Sequence, residues 1–246
     1  AVGRQGAITN MQRAVLLLSG GLDSVAAAYL LRGVAEPALA LTADYGQKSA
    51  KQELAAAYAV ATDLGVPHRT VDLPFLKEAS TGALVDRYAD VPEPSIEDLD
   101  DTEGAAARTA AAVWVPNRNS VLIAMAATWA EANDISYVVC GFNREEAQTF
   151  PDNSKSFLEA TNAALALSTR TGVQVISPTI DMDKIEIARA AREAGAPLHR
   201  CWSCYLGGDQ PCGRCESCLR FRRALDGAEI PHKGGRVIHN NAGGKP

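Results

Sequence analysis

Short apolar runs alternate with longer stretches of helical spacing along this chain. RAVLLLS (13–19) is a short apolar run of strand length and predicts a buried parallel strand. LDSVAAAYLLRG (22–33) predicts a helix closed by Gly33, and PALALTADYG (37–46) a second strand. QKSAKQELAAAYAVATDLGV (47–66) reads as a helix ending near Gly65, and HRTVDL (68–73) as a third strand. The same rhythm returns with a helix at 117–133, a strand at 134–142, a helix at 151–172 and a strand at 173–179. MDKIEIARAAREAG (182–195) is a helix ended by Gly195 and Pro197, and ESCLRFRRAL (216–225) is a short last helix. Strands alternating with helices imply βαβ crossovers, so the expected fold is α/β: a doubly wound, mainly parallel five-stranded sheet. There is no internal repeat.

Residues 74–115 break this rhythm. Between positions 80 and 110 stand eight acidic residues against two basic ones, with Pro92 and Pro94. So long a stretch without clear periodicity predicts a lid or a disordered insertion, or else a solvated loop. The expected organisation is a flexible tail at 1–12, an α/β domain at 13–195 containing that insertion, a cysteine-bearing region at 196–228, and a flexible tail at 229–246.

Composition narrows the function classes. Of 246 residues 47% are hydrophobic and 22% charged, enough for a sizeable core; aromatics are sparse at 6%. The net charge of -5 argues against stable nucleic-acid binding, which needs a basic face. No apolar run reaches the length of a membrane span, and AVGRQGAITN has no signal-peptide core, so a cytoplasmic location is expected.

The first candidate chemistry lies where the first strand turns into a helix. Ser19-Gly20-Gly21 ends the strand, and ligands of open α/β sheets bind at the carboxyl ends of strands. Glycines let the backbone approach closely, and the free N–H groups at the helix start face an anion. The Ser19 and Ser24 hydroxyls suit phosphate oxygens. Asp23 would repel phosphate directly, so its useful role is to hold Mg²⁺. The stretch lacks the lysine of the Gly-x-x-x-x-Gly-Lys-Ser/Thr loop and is not Gly-x-Gly-x-x-Gly.

The second is a cysteine cluster. Five of six cysteines fall between 201 and 218, as Cys204-x7-Cys212-x2-Cys215-x2-Cys218 with Cys201 ahead. Clustered thiolates with Gly207, Gly208, Pro211 and Gly213 at the turns favour a tetrahedral zinc site over disulfides or an iron–sulfur cluster. Cys201 makes its own Cys-x-x-Cys with Cys204, so spacing alone leaves the choice of four open. A closed four-thiolate site would be structural. Cys140, on an apolar strand, reads as core.

Ser-Gly-Gly-x-Asp-Ser after a first strand resembles the PP-loop of the ATP pyrophosphatases, which cleave ATP between the α and β phosphates. Together with WSCYLGGDQPCGRCESC (202–218), DYGQK (44–48), VPNRN (115–119), GFNREEAQTFPDNSKSF (141–157) and SPTIDMDKIEI (177–187), it resembles the 7-cyano-7-deazaguanine synthase family. The resemblance runs from Arg13 to about Ala228. Where many bacterial members have Pro-Gly-Arg-Asn, this chain has Pro116-Asn117-Arg118-Asn119.

The resemblance implies a HUP-like nucleotide-hydrolase fold, ATP with Mg²⁺, and structural Zn²⁺ on Cys204, Cys212, Cys215 and Cys218. It implies 7-carboxy-7-deazaguanine and ammonia as substrates, and a homodimer. No glutaminase-like segment is evident, so free ammonia is the expected nitrogen source. ATP adenylates the carboxylate, ammonia displaces AMP, and a second ATP activates the amide for loss of its oxygen. Such chemistry asks for charge neutralisation and positioning. Leu18, Ser19, Gly20, Gly21, Leu22, Asp23 and Ser24 would take phosphates and metal, and Asp44, Tyr45, Gly46 and Gln47 would flank the adenosine. Lys184 would stabilise departing pyrophosphate, unless it is a solvated helix lysine. Arg118 and Asn119 open a helix where the substrate carboxylate could be met, unless they are a cap and a surface arginine. Phe142, Asp152 and Lys155 would line the deazaguanine site, with Asp152 alternatively an N-cap. Glu145 and Glu146 read equally well as solvated. Three alternatives remain: a relative that joins a deazaguanine to a protein or stops at the amide, a zinc-stabilised nucleotide-binding module, and a sulfur-inserting tRNA enzyme, the last opposed by the acidic charge.

Overall fold

The computed structural model describes residues 12–232. Five strands, β1 (Arg13–Leu17), β2 (Glu36–Asp44), β3 (His68–Asp72), β4 (Tyr137–Val139) and β5 (Gln174–Ile176), form an all-parallel sheet in the order β3-β2-β1-β4-β5. The helices are α1 (Leu22–Leu30), α2 (Ala50–Asp63), α3 (Pro74–Glu78), α4 (Ala105–Val113), α5 (Arg118–Ala132), α6 (Lys155–Ser168), α7 (Lys184–Glu193) and α8 (Glu216–Gly227).

The apolar runs of the central strands are explained by burial on both faces. Ala14 and Leu16 of β1, with Ala40 and Val139, pack under Val25 and Ala28 of α1 and Ala57 and Val60 of α2. Val15, with Leu41 and Val138, packs on the opposite face under Ile123 and Ala127 of α5 and Leu165 of α6. A one-residue slip in β1 would exchange these sets. A third cluster joins Leu22 and Ala26 of α1 to Ile187 and Ala191 of α7 and Ala224 and Leu225 of α8, which docks the C-terminal region onto the sheet domain.

The segment 74–115 is built structure rather than an irregular insertion. It holds α3, a 3₁₀ turn at Glu97–Asp100 and α4. Leu76, Leu84, Val85, Ala110 and Val113 bury against Tyr45, Val115 and Phe150. Its apolar residues come from separate short pieces, so no single period shows in the sequence. The bounds of four elements also differ from expectation. Strands β4 and β5 are three residues each, α2 starts at Ala50, and α6 starts at Lys155 after a 3₁₀ turn at Pro151–Asn153. Of the two expected tails, residues 1–11 and 233–246 lie outside the described residues. Within them, Ile230 packs against the α7/α8 cluster and His232 Nε2 lies 3.0 Å from Asp226 Oδ1, so the fold extends past 229.

Candidate active site

β1 and β4 are neighbours in the sheet, but β1 leads through α1 to β2 on one side while β4 leads through α6 to β5 on the other. At their carboxyl ends opens a cleft of about 300 Å³, the place where such sheets bind ligands. Leu18, Ser19, Gly21, Leu22, Asp23 and Ser24 line it. Gly20 lies beneath the turn at φ 79°, where an added Cβ would stand 2.6 Å from Ala56 Cβ and 2.9 Å from Ala57 N. Only glycine fits there. The Ser19 and Ser24 hydroxyls lie 3.1 Å apart, Gly21 N–H donates to Ser19 Oγ at 3.3 Å, and Ser24 Oγ donates to the Gly21 carbonyl at 3.1 Å. The turn is thus tied together by its own hydroxyls. Gly141, at the end of β4, lets that strand approach the start of α1; a Cβ there would stand 2.5 Å from the Asp23 carbonyl carbon.

Lys184 is the buried charge of the cleft. It is the first residue of α7, whose N-terminus is fixed by a capping box: Asp183 accepts from the N–H groups of Ile185 and Glu186, and Glu186 accepts from Asp183 N–H. Its Nζ lies 2.7 Å from Asp23 Oδ2 and 2.8 Å from Glu146 Oε1, and the residue is 8% exposed. Burial opposes the ammonium charge, but the two carboxylates overcome it and raise its pKa above the ordinary lysine value. Burial raises the Asp23 pKa against the pull of Lys184. At Glu146 burial pushes the same way, and Lys184 reverses it, leaving the carboxyl below its ordinary value. Lys184 is therefore not a solvated lysine, and Glu146, with Glu145 beside it, is not a solvated glutamate. Asp23 Oδ1 is buried without a hydrogen-bond partner. A buried, unpaired carboxylate oxygen beside a second carboxylate fits a Mg²⁺ ligand set.

Arg118 follows Asn117, which sits in the left-handed region at φ 54°. That conformation suits glycine or asparagine, which explains why Asn117 is accepted in the turn. Arg118 Nη1 donates to Tyr45 Oη at 3.1 Å, and its guanidinium stands 5.9 Å from the Tyr45 ring centroid. Both line the cleft, so Arg118 is not a surface arginine. Asn119 and Phe142 line it too. The other expected residues fall elsewhere. Asp44 Oδ1 accepts from Gly46 N–H at 2.9 Å, and Gln47 Oε1 accepts from Tyr45 N–H at 3.0 Å, so Asp44, Gly46 and Gln47 shape the turn that presents Tyr45. Asp152 is not among the lining residues but neighbours them: its carbonyl accepts from Asn119 Nδ2 at 3.3 Å, and Asn153 reaches the cleft. The cap of α6 is Ser154, not Asp152. Lys155 is exposed and 3.7 Å from Asp181, away from the cleft.

The cysteine region supplies the remaining wall through Trp202, Ser203, Tyr205 and Phe221. Trp202 N–H donates to the Gly20 carbonyl at 2.9 Å, which hangs this segment over the glycine turn. Trp202 and Tyr205 lie inside the cysteine motif, yet its spacing speaks only of metal, so their place in the cleft was not legible. The sulfurs of Cys204, Cys212, Cys215 and Cys218 all lie within 4.8 Å of one another, and Cys201 is not among them. Zinc–sulfur bonds of about 2.3 Å put tetrahedral sulfurs about 3.8 Å apart, so the set fits zinc. Leu206 and Cys212 N–H point at Cys204 Sγ (3.4 and 3.3 Å), and Cys215 N–H at Cys212 Sγ (3.3 Å), as donors to thiolates do.

A parallel α/β sheet with Ser-Gly-Gly-x-Asp-Ser at its switch point, a buried lysine facing it and a four-cysteine wall defines a PP-loop ATP-using enzyme. Residues 13–229 match the family model described as Queuosine biosynthesis protein QueC. The chain is 51% identical over 213 residues to a 7-cyano-7-deazaguanine synthase from Desulforudis audaxviator, covering 86% of this chain and 96% of that protein. It is 50% identical over 219 residues to the synthase of Pelotomaculum thermopropionicum (89% and 98% covered), and 44% identical over 215 residues to that of Methanosarcina mazei (87% and 93%). Among solved structures it resembles the NH3-dependent NAD synthetase from Campylobacter jejuni, with a TM-score of 0.41 and 21% identity over 77% of this chain and 67% of that one. The chain belongs to the QueC family, the ATP-dependent 7-cyano-7-deazaguanine synthases of queuosine biosynthesis.

Proposed function

We propose that this chain turns 7-carboxy-7-deazaguanine, ammonia and two ATP into 7-cyano-7-deazaguanine in the cleft between β1 and β4. The observation that carries the reading is Lys184, buried between Asp23 and Glu146 beside the glycine turn. The turn at Ser19–Ser24 takes the ATP phosphates through hydroxyls and N–H groups. Asp23 and Glu146 would hold Mg²⁺, which supplies neutralising charge to the triphosphate. Lys184 exchanges carboxylate for phosphate oxygens and steadies departing pyrophosphate. Arg118, whose Nη1 donates to the Tyr45 hydroxyl, offers its remaining N–H groups to the substrate carboxylate. Asn119, Phe142 and the aromatic wall from Tyr205 to Phe221 enclose the deazaguanine; Asp152 acts through Asn119, and Lys155 has no part.

The substrate carboxylate attacks the ATP α-phosphorus and pyrophosphate leaves. Ammonia adds to the acyl carbon, AMP leaves, and the amide forms. The amide oxygen then attacks the α-phosphorus of a second ATP, pyrophosphate leaves, and loss of AMP and both amide protons leaves the nitrile. Zinc on the four cysteines is structural, because four thiolates leave no open position for water. Free ammonia as donor and a homodimer as assembly are part of this reading. Among the described residues no helix is long and apolar enough to cross a membrane.

The test is mass spectrometry of products from 7-carboxy-7-deazaguanine, ATP, Mg²⁺ and ammonium. Nitrile with two AMP is expected, and Lys184→Met should lower kcat about 10²- to 10³-fold, as loss of a preorganised cation does. Amide alone would mean that the second activation is absent. Added mass on a protein would establish the conjugating alternative.

A further inference from the structure

We infer that Arg220, on the cysteine-bearing helix, is a positioning residue for Lys184 and acts through Glu145. The inference rests on the catalytic reading of Lys184 given above. Arg220 stands two residues beyond Cys218 and is 7% exposed. Its Nε and Nη2 donate to Glu216 Oε1 at 2.9 and 2.8 Å, one helical turn back. Its Nη1 donates to Glu145 Oε1 at 2.6 Å, and Nη2 also donates to the Leu99 carbonyl at 2.8 Å. One guanidinium thus joins α8, the 74–115 segment and the loop after β4.

Glu145 carries the connection onward. Its second oxygen, Oε2, accepts from the backbone N–H of Lys184 at 3.1 Å. That N–H is the first of α7 and has no partner within the helix. A carboxylate there also meets the positive end of the helix dipole. Its neighbour Glu146 meets the Lys184 ammonium from the same loop. Consecutive glutamates therefore hold the two ends of one lysine, main chain by Glu145 and side chain by Glu146. Arg223, at 24% side-chain exposure, adds a contact of 2.7 Å to Glu145 Oε1 from the outer side.

Stability alone is a weak reason for such a group. Taking charges out of water offsets much of their attraction, and apolar replacements of buried ion pairs are often as stable. What a planar fork with fixed donors supplies is direction. Here it fixes Glu145, and through it the origin of the lysine that reaches into the cleft.

The experiment is a double-mutant cycle of Arg220→Lys and Lys184→Met, reading kcat for pyrophosphate release, KM for ATP, zinc content and the unfolding midpoint. Arg220→Lys keeps the charge and loses the fork. The expected result is a kcat about 10- to 100-fold lower, the scale of a misplaced catalytic group, with KM for ATP changed less than about twofold and zinc retained. In the Lys184→Met background the same change should alter kcat less than about twofold. An equal loss in both backgrounds, or a loss confined to KM or accompanied by lost zinc, overturns the inference while leaving Lys184 catalytic. Unchanged kcat in Lys184→Met alone overturns the premise, and the inference with it. Should Arg220→Lys not fold, Glu145→Gln takes its place in the cycle with the same expected pattern.

Discussion

Two walls face each other across the cleft and stand on different foundations. The glycine turn rests on Leu16, Leu18 and Val25, each at most 1% exposed, in a core that extends under α1 and α2. The opposite wall, from Trp202 to Phe221, rests on four cysteines and on arginines threaded between carboxylates. Its own apolar cluster is small: Ala83 and Val91 packed against Cys204, Cys215 and Cys218. Gly207 must also be glycine, since a Cβ there would run into the Lys48 carbonyl. The first wall is held by non-directional burial, roughly proportional to area. The second is docked by the α7/α8 cluster but shaped by ligation and directed hydrogen bonds, each of which fails when one atom is removed. Precision in the second wall comes with fragility that the first does not share.

The largest break in this comparison should come from Cys215→Ser. Structural zinc in small domains is worth on the order of 10 kcal/mol of apparent binding free energy. The expected outcome is zinc loss with collapse of amide-exchange protection across 201–228, while β1 to β5 keep theirs. Hydrogen exchange by mass spectrometry checks both halves, and uniform loss would show that the walls are one cooperative unit. Next comes Leu41→Ala, which removes a fully buried side chain from the sheet core. A loss of about 3 kcal/mol is expected in denaturant unfolding, with zinc retained, because large-to-small core changes cost about 2–5 kcal/mol. The smallest effect sharpens the charged wall by pH. Burial pushes the Glu145 carboxyl up, but the Lys184 amide, Lys184 charge, Arg220 and Arg223 bring it below its ordinary value of 4.5. A depressed native pKa means that the unfolded chain binds the proton more readily. The stability from Glu145 is thus present above about pH 4.5 and is lost as pH falls through the native value. Glu145→Gln should be the less stable protein at pH 6, and the gap should close on acidification. A gap independent of pH would assign the loss to packing instead of charge.

The class of the fold was legible because both faces of the central strands are covered. That demands unbroken apolar runs, and AVLLL (14–18) and PALAL (37–41) are such runs. The glycine turn was legible because Gly20 admits no side chain. The segment 74–115 was not, because its buried residues come from short pieces that share a cluster only after folding. Glu145 and Glu146 looked like a solvated pair, since nothing local shows that Lys184, Arg220 and Arg223 meet them from 38 or more positions away. The start of α6 was not legible either: Ser154 caps a helix that begins at Lys155, so Asp152 stands in the turn before it and Lys155 is exposed beside Asp181.

What the sequence by itself determined was the alternation of strands and helices, the phosphate-type turn and the cysteine spacing. These depend on local backbone preference and on periodicity, which a chain carries before it folds. What only the tertiary structure decided was which charges share a buried space. Asp23, Glu146 and Lys184 come from three separate elements, and Coulomb attraction chooses among them only once burial has removed the water that would otherwise screen every pair alike.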